Sequence, residues 1–335
     1  MIGARVKAVA YHLGERRETN EQLIQEFGTW TPEKIYNKTG VKSRPLTDSK
    51  VSDFATKAAQ KLFEEHPDIT PDSIDMLVLC TECPDYVLPA TACIVHHNLG
   101  LRHNCGAFDY SLGCSGYTYG LAICKGFIAA GLAKRVMLLT ADLVTRYINK
   151  GDKSTRPIFG DGATATVLDA SDVDCLAHID LGTDGSGYEH IIIPASGFAM
   201  PKTEETAREE ANRFGNVTSL ENLHMNGREV IAFAEQRLPG AMDSLMSKAG
   251  VTWDDIDLVV FHQASLLMLE HLRKLLGVPE EKYVIDLEDC ANTAASTIPI
   301  ALARAEKSGR LKRGMKVLVS GFGVGLSWSS AIIDW

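Results

Sequence analysis

Three residues of this chain stand where a side chain can be presented for chemistry. Cys114 sits in Leu112-Gly113-Cys114-Ser115-Gly116, after the extended run Ala107 to Tyr110 and before Thr118 to Leu132, whose small and apolar residues suit a buried helix. A thiol at a helix start feels the partial positive charge of free backbone N–H groups, which predicts a lowered pKa and a nucleophile. Gly113 and Gly116 leave room for a substrate carbonyl to approach. The competing reading is an inert cysteine packed in a core. His262 follows the apolar run Leu258 to Phe261, at the strand end where open α/β sheets hold ligands. Asn292, in Asp289-Cys290-Ala291-Asn292-Thr293-Ala294-Ala295-Ser296, is read at a second helix start, able to donate to a substrate.

What brings these three together is an internal duplication. Thr70-Pro-Asp-Ser-Ile-Asp-Met-Leu-Val-Leu79 matches Thr252-Trp-Asp-Asp-Ile-Asp-Leu-Val-Val-Phe261. The strand Arg135 to Thr140 answers Lys316 to Ser320, and Gly160 to Leu168 answers Gly323 to Ile333. On that register the helix after Cys114 corresponds to the helix after Asn292. The nearly continuous apolar strands imply sheets covered on both faces, hence an α/β fold of two pseudo-repeated halves. The halves are expected at 1–172, with the cysteine, and 173–335, with the histidine and asparagine. Pro201 to Arg213, rich in Glu, Lys and Thr, reads as an exposed insertion.

A Cys-His-Asn set has two readings: the histidine can activate the thiol, as in papain-type peptidases, or histidine and asparagine can act directly on substrate. The local signatures of the peptidases are absent. Two clusters resemble metal sites, Cys80-x-x-Cys83 and the group Cys93, His96, His97, His103 and Cys105, but neither shows two clean ligand pairs, and no metal is expected. Lys38, Lys42 and Arg44, and Lys150, Lys153 and Arg156, form cationic loops that residue types alone would call solvated.

The totals bound the rest. A chain of 335 residues with 45% hydrophobic and 23% charged residues builds one large or two medium cores. The net charge of −9 argues against general nucleic-acid binding. No stretch reaches the roughly 18 uncharged apolar residues of a membrane span. Met1 to Tyr11, with Arg5 and Lys7, lacks the apolar core of a secretory signal. A cytoplasmic protein with eight reduced cysteines is expected.

Gly113-Cys114-Ser115-Gly116, His262-Gln263-Ala264, Asn292-Thr293-Ala294-Ala295-Ser296, Phe159-Gly160-Asp161-Gly162 and Phe322-Gly323-Val324-Gly325 jointly resemble the 3-oxoacyl-(acyl carrier protein) synthase III group of the thiolase superfamily. The resemblance covers nearly the whole chain. It implies a five-layered αβαβα fold, a homodimer, and decarboxylative Claisen condensation without metal or bound redox cofactor. The implied substrates are coenzyme A thioesters and a malonyl thioester on acyl carrier protein, in fatty acid or related polyketide synthesis. Cys114 would carry the acyl group, backbone N–H groups of Cys114 and Val324 would hold the oxyanion, and neutral His262 with Asn292 would hold the enolate, with little need for a base at the thiol. Phe322 would help keep the site dry. Lys38 and Lys153 fall where the family has arginines at the CoA mouth, with Arg156 and Lys42 close by.

Several positions depart from the family pattern. Lys34 replaces an adenine-stacking tryptophan, with Trp30 nearby. Leu267 replaces a carrier-docking arginine, leaving Arg273 and Lys274 as candidates. Leu88 replaces the phenylalanine each subunit lends to its partner's acyl pocket. These departures point to a longer or different primer than acetyl. Two alternatives stay open: a specialised acyltransferase or non-decarboxylative condensing enzyme of the same fold, and a silent partner subunit.

Overall fold

The computed structural model describes residues 2–28 and 30–335; of the sequence readings, only the first residue of the Met1 to Tyr11 stretch lies outside them. Its first sheet contains β1 (Gly3–Leu13), β4 (Met76–Cys80), β5 (Gly106–Tyr110), β6 (Arg135–Asp142) and β7 (Gly162–Ser171) in the order β1-β7-β6-β4-β5. The second contains β8 (His178–Thr183), β13 (Leu258–Phe261), β14 (Lys316–Gly323) and β15 (Ser327–Asp334) in the order β13-β14-β15-β8. Each is mixed: β4 runs parallel to β5 and β6, β13 parallel to β14, and the remaining pairs are antiparallel. A single parallel bridge from Val259 to Tyr283 stands beside β13 where β5 stands beside β4. Strand order therefore recurs from one sheet to the other.

The repeated sequence has a local cause. Thr70 and Thr252 each cap a short 3-10 turn, Pro71–Ser73 and Trp253–Asp255, through a reciprocal capping box with Ser73 and Asp255. The aspartate that follows ties each turn to the next strand: Asp75 Oδ2 accepts from the N–H groups of Lys134 and Arg135, and Asp257 Oδ2 accepts from the N–H of Lys316. One Thr-x-x-Ser/Asp-Ile-Asp cassette thus sets a strand's entry and its pairing partner at once.

Two helices lie between the sheets, α5 (Gly116–Ala129) and α8 (Thr297–Lys307). Tyr117, Leu121, Cys124 and Ile128 of α5 join Ile298, Ala301, Leu302 and Ala305 of α8 in one buried cluster with Val78, Leu138, Val260 and Val319 from the two sheets. The outer faces are covered by α3 (Val51–Glu65) and α4 (Thr91–Asn98) on one side, and α6 (Gly227–Ala249) and α7 (Leu266–Leu275) on the other. The result is five layers, αβαβα. Burying both faces of each sheet is what required the continuous apolar runs seen in β4, β6, β13 and β14.

The periphery holds the hairpin β2 (Arg16–Thr19) with β3 (Ser43–Leu46), the helices α1 (Asn20–Phe27) and α2 (Pro32–Thr39), and the short pairs β9 (Ile191–Ile192) with β12 (His224–Met225) and β10 (Glu210–Ala211) with β11 (Val217–Thr218). Residues 201–213 are exposed except for Thr206, as expected of an insertion. Among the described residues no helix is long and apolar enough to cross a membrane.

One expectation needs correction: Asn292 is not at a helix start. Helix α8 begins at Thr297, after the 3-10 turn Ala294–Ser296. Ala291 and Ala294 adopt left-handed φ values of 57° and 50°, and Asn292 Oδ1 accepts the N–H of Ala294 at 2.9 Å. A side chain that bonds its own backbone two residues on competes with the helix and holds the loop open.

Candidate active site

Cys114, His262 and Asn292 come from three separate loops, yet they line one cavity of about 310 Å³ together with Phe322, Gly323 and Val324. Its apolar wall includes Ile191, Leu223, Met225 and Val230. Phe159 lies both on this cavity and on a neighbouring groove edged by Lys150 and Arg156.

Cys114 stands two residues before α5 on a turn pinned from several sides. Gly116 N–H donates to Gly113 O at 2.7 Å, the Ser115 and Ser327 hydroxyls meet at 2.7 Å, and Ser329 Oγ donates to Ser115 O at 2.8 Å. Strand β14 crosses the turn so closely that a Cβ at Gly321 would lie 2.5 Å from Cys114 O, and one at Gly323 would lie 2.7 Å from Cys114 Sγ. Only glycine fits there. The residue is 8% exposed and lines the cavity.

The expected thiolate is not what this setting favours. Burial pushes the Cys114 thiol up to about 12, the negative charge of Glu82 adds to it, and the opposing Val324 and Cys114 N–H groups do not reverse it. The end of a helix stabilises an anion modestly; loss of water around a sulfur costs more.

His262 is buried, and burial lowers its pKa to about 3, so it is neutral near pH 7. Thr297 Oγ1 lies 2.7 Å from His262 Nδ1 and 3.1 Å from Ala294 O. The hydroxyl has one proton to give. Given to Nδ1, it fixes the tautomer with Nε2–H as a donor; given to Ala294 O, it leaves Nε2 a bare acceptor. The Phe322 ring stands edge-on to the imidazole, with centroids 5.9 Å apart. Asn292, its Oδ1 fixed by Ala294, turns Nδ2 toward Ala264 O at 3.4 Å, a long bond that a better acceptor can replace.

The peripheral candidates are dispersed. Lys34 and Lys38 both approach the Trp30 ring, at 4.7 and 5.1 Å from its centroid, so tryptophan and cations cluster although their positions differ from the family pattern. Lys42 pairs with Glu288 at 2.9 Å, and Arg44 is wholly buried, donating to Pro157 O, Glu18 O and Asn20 Oδ1. Lys153 lies by the turn at Gly215. Arg156 is committed to Glu18 at 2.5 Å and Glu26 at 2.6 Å rather than presented to a phosphate. Arg273 is likewise held by Glu270 and Glu280, which leaves Lys274 as the exposed cation of α7. Leu88 does not line its own chain's cavity; it projects 84% exposed beside Val87.

Of the residues considered for metal binding, the Cys80 thiol donates to Leu112 O, His96 Nε2 bonds Arg102 O, and Cys93 is exposed. Among the described residues, three potential ligands converge at Asp286, Asp289 and Cys290, where Arg304 already occupies the carboxylates. Reading the sequence missed Glu82, Asp142 and Thr297. Glu82 did carry a signal, an acidic residue just past the C-terminal end of a buried parallel strand.

The alternating layers, the two mixed sheets and the central Cys-His-Asn cavity define a thiolase-like condensing acyltransferase. Family models described as 3-oxoacyl-[acyl-carrier-protein] synthase III and its C-terminal part match residues 108–185 and 246–335. A beta-ketoacyl-[acyl-carrier-protein] synthase III of Caldanaerobacter subterraneus subsp. tengcongensis is 36% identical, over 100% of this chain and 98% of its own length. The one of Symbiobacterium thermophilum is 35% identical over 96% and 94%. A crystal structure of a 3-oxoacyl-(acyl-carrier-protein) synthase III superposes with a TM-score of 0.97 at 42% identity, covering 99% of this chain and 100% of the other. The Thermus thermophilus enzyme superposes at 0.87 and 32%, covering 99% of each. The chain belongs to the 3-oxoacyl-(acyl-carrier-protein) synthase III family.

Proposed function

We propose that this chain loads an acyl group from an acyl-CoA onto Cys114 and extends it by two carbons from a malonyl thioester on acyl carrier protein. The observation that carries this reading is the single cavity shared by Cys114, His262 and Asn292. Cys114 Sγ attacks the thioester carbonyl, and the N–H groups of Cys114 and Val324 receive the oxyanion. CoA leaves. A malonyl thioester enters, loss of carbon dioxide generates an enolate, and His262 Nε2–H and Asn292 Nδ2–H steady its oxygen. The enolate carbon attacks the acyl-Cys carbonyl and Cys114 departs.

Phe322 and the apolar wall exclude water, which favours decarboxylation of a carboxylate stripped of its shell. Lys38, Lys42 and Lys153 attract the CoA phosphates, and Lys274 meets the acidic carrier protein. The exposed Leu88 is assigned to the acyl pocket of a second copy in a cytoplasmic homodimer, each chain comprising halves 1–172 and 173–335.

The test is mass spectrometry of the protein after incubation with a panel of acyl-CoAs, followed by addition of a malonyl thioester. An acyl mass on the Cys114 peptide that disappears as a 3-oxoacyl product forms is expected. Absence of the adduct with every acyl-CoA, or its persistence in Cys114→Ala, overturns the reading.

Thr297 supplies a subtler check. Thr297→Val keeps the side chain's volume and removes the hydroxyl that, donating to Nδ1, would leave Nε2–H as a donor. Decarboxylation is expected to fall about 100-fold, the scale of one lost donor to a developing oxyanion, while acyl loading persists. An unchanged decarboxylation rate would show that His262 takes its tautomer from elsewhere.

A further inference from the structure

Behind the nucleophile lies a pair of carboxyl groups that the condensation chemistry leaves unused. Glu82, just past β4, lines the same cavity as Cys114 and is half-buried. Its carboxylate packs on the residue before the nucleophile: a Cβ on Gly113 would lie 2.4 Å from Glu82 Oε2 and 2.9 Å from Oε1. Asp142, at the end of β6, is fully buried. Its Oδ1 accepts the Glu82 N–H at 2.8 Å and the Thr81 hydroxyl at 3.4 Å, while Oδ2 has no hydrogen-bond partner. An orphaned carboxylate oxygen in a protein interior is costly, and protonation of the group lowers that cost. A carboxyl group that burial and the Asp142 charge both favour in its protonated form, beside a thiol that burial also keeps protonated, can take up and return a proton.

We propose that Glu82, whose backbone N–H is held by Asp142, is the general base that takes the Cys114 proton during acyl loading. The inference rests on the reading of Cys114 as the acyl carrier. As Sγ bonds to the thioester carbonyl carbon, its proton passes to the Glu82 carboxylate, directly or through one cavity water. As the carbon–sulfur bond to CoA breaks, the departing thiolate takes that proton, and Glu82 is a carboxylate again. In the second half-reaction Cys114 leaves as a thiolate and is reprotonated from the pair, which recovers the proton from solvent; this is the proton that decarboxylative condensation consumes overall.

The surroundings support a base. Besides Asp142, the titratable groups facing Glu82 are Cys80 and Cys83 from its own strand end, Cys114 from the α5 turn and Tyr147 from the segment after β6. Asp161, before β7, acts on Asp142, and His262 is neutral across the cavity. Arg146 acts on Asp161 and Tyr147 and donates to Thr47 O and Ser49 O. Glu82 therefore has no compensating cation among these groups, and burial beside Asp142 drives its proton affinity upward.

The test compares native protein with E82Q in single-turnover CoA release from octanoyl-CoA and acetyl-CoA between pH 6 and 10. Native loading is expected to accelerate as Glu82 loses its proton and then to level off, above the ordinary carboxylate range because burial beside Asp142 raises it. E82Q is expected to load about 10²-fold more slowly or worse at pH 8, with malonyl decarboxylation retained. If Glu82 were merely a nearby charge, E82Q would load as fast or faster, because removing a negative charge eases thiol ionisation; that result overturns the proposal. So does a native rate that climbs through pH 10 without levelling, or an E82Q protein that loses decarboxylation as fully as loading. Should E82Q not fold, the native profile decides. Failure of native protein to load Cys114 from any acyl-CoA strikes instead at the reading on which the proposal rests.

Stability gives an independent readout. A buried acid whose folded pKa is raised holds its proton in the native state after the unfolded chain has released it, so stability is full below the unfolded pKa and falls as pH rises through the folded one. Burial raises Glu82 and Asp142 in this way. Between pH 7 and 9, above the range in which a free histidine titrates, the native melting temperature is expected to fall, and E82Q to fall less. Parallel curves in differential scanning fluorimetry would place the titration elsewhere.

Discussion

Cys114→Ala is expected to abolish acyl transfer to the protein and to lower condensation by about 10⁴-fold or more, the scale seen when a covalent nucleophile is removed. Malonyl decarboxylation should continue. The two outcomes separate because the sulfur contributes nothing to the donors that receive the enolate, and because the turn does not depend on it. Gly113 O, Ser115 O and Ser115 Oγ hold the loop through backbone and hydroxyl bonds that alanine leaves in place. The cavity enlarges by one sulfur, which favours the variant as a trap for intact acyl-CoA. Intact-protein mass spectrometry checks the first outcome and carbon dioxide release the second. Acylation of another of the eight cysteines at the native rate would remove Cys114 from its role.

How far the sequence carried the fold is best judged from the cassettes at Thr70 and Thr252. They were legible because a capping box and a strand-tying aspartate are local devices, complete within six residues, and the same letters fold the same way twice. The gathering of Cys114, His262 and Asn292 followed from that duplication, since equivalent turns of paired halves meet at their common face. Electrostatics was not legible. The Cys114 thiol was expected low because a helix start is visible in the letters, whereas its desolvation depends on β14 crossing it from 200 residues away. Glu82 gained its meaning from Asp142, 60 residues distant. Arg156 looked free because Glu18 and Glu26 are far from it in sequence, whereas Arg273 had Glu270 one turn earlier on its own helix. Asn292 left its expected helix through two alanines in left-handed conformations, which no propensity favours.

Those same alanines shape the sharpest test of the enolate site, Asn292→Asp. The substitution keeps shape and keeps the oxygen that accepts the Ala294 N–H, so the loop has no reason to move. It replaces the Nδ2 donor with a second carboxylate oxygen, facing both Ala264 O and the spot where the enolate oxygen would gather charge. Decarboxylation is expected to fall about 10³-fold at pH 8, because a lost donor and an added repulsion act together. Acyl loading, which uses the Cys114 and Val324 N–H groups, should persist. A buried aspartate without a cation also has a raised pKa, and once protonated it can donate as the amide did. The variant should therefore regain decarboxylation as pH falls from 8 to 5.5, while native protein, with Asn292 uncharged and His262 neutral across that range, gains none from this source. A reversed pH slope in carbon dioxide release, confined to this variant, is the signature of a hydrogen-bond donor aimed at the enolate; a native rate at pH 8 would show that the donor is not used.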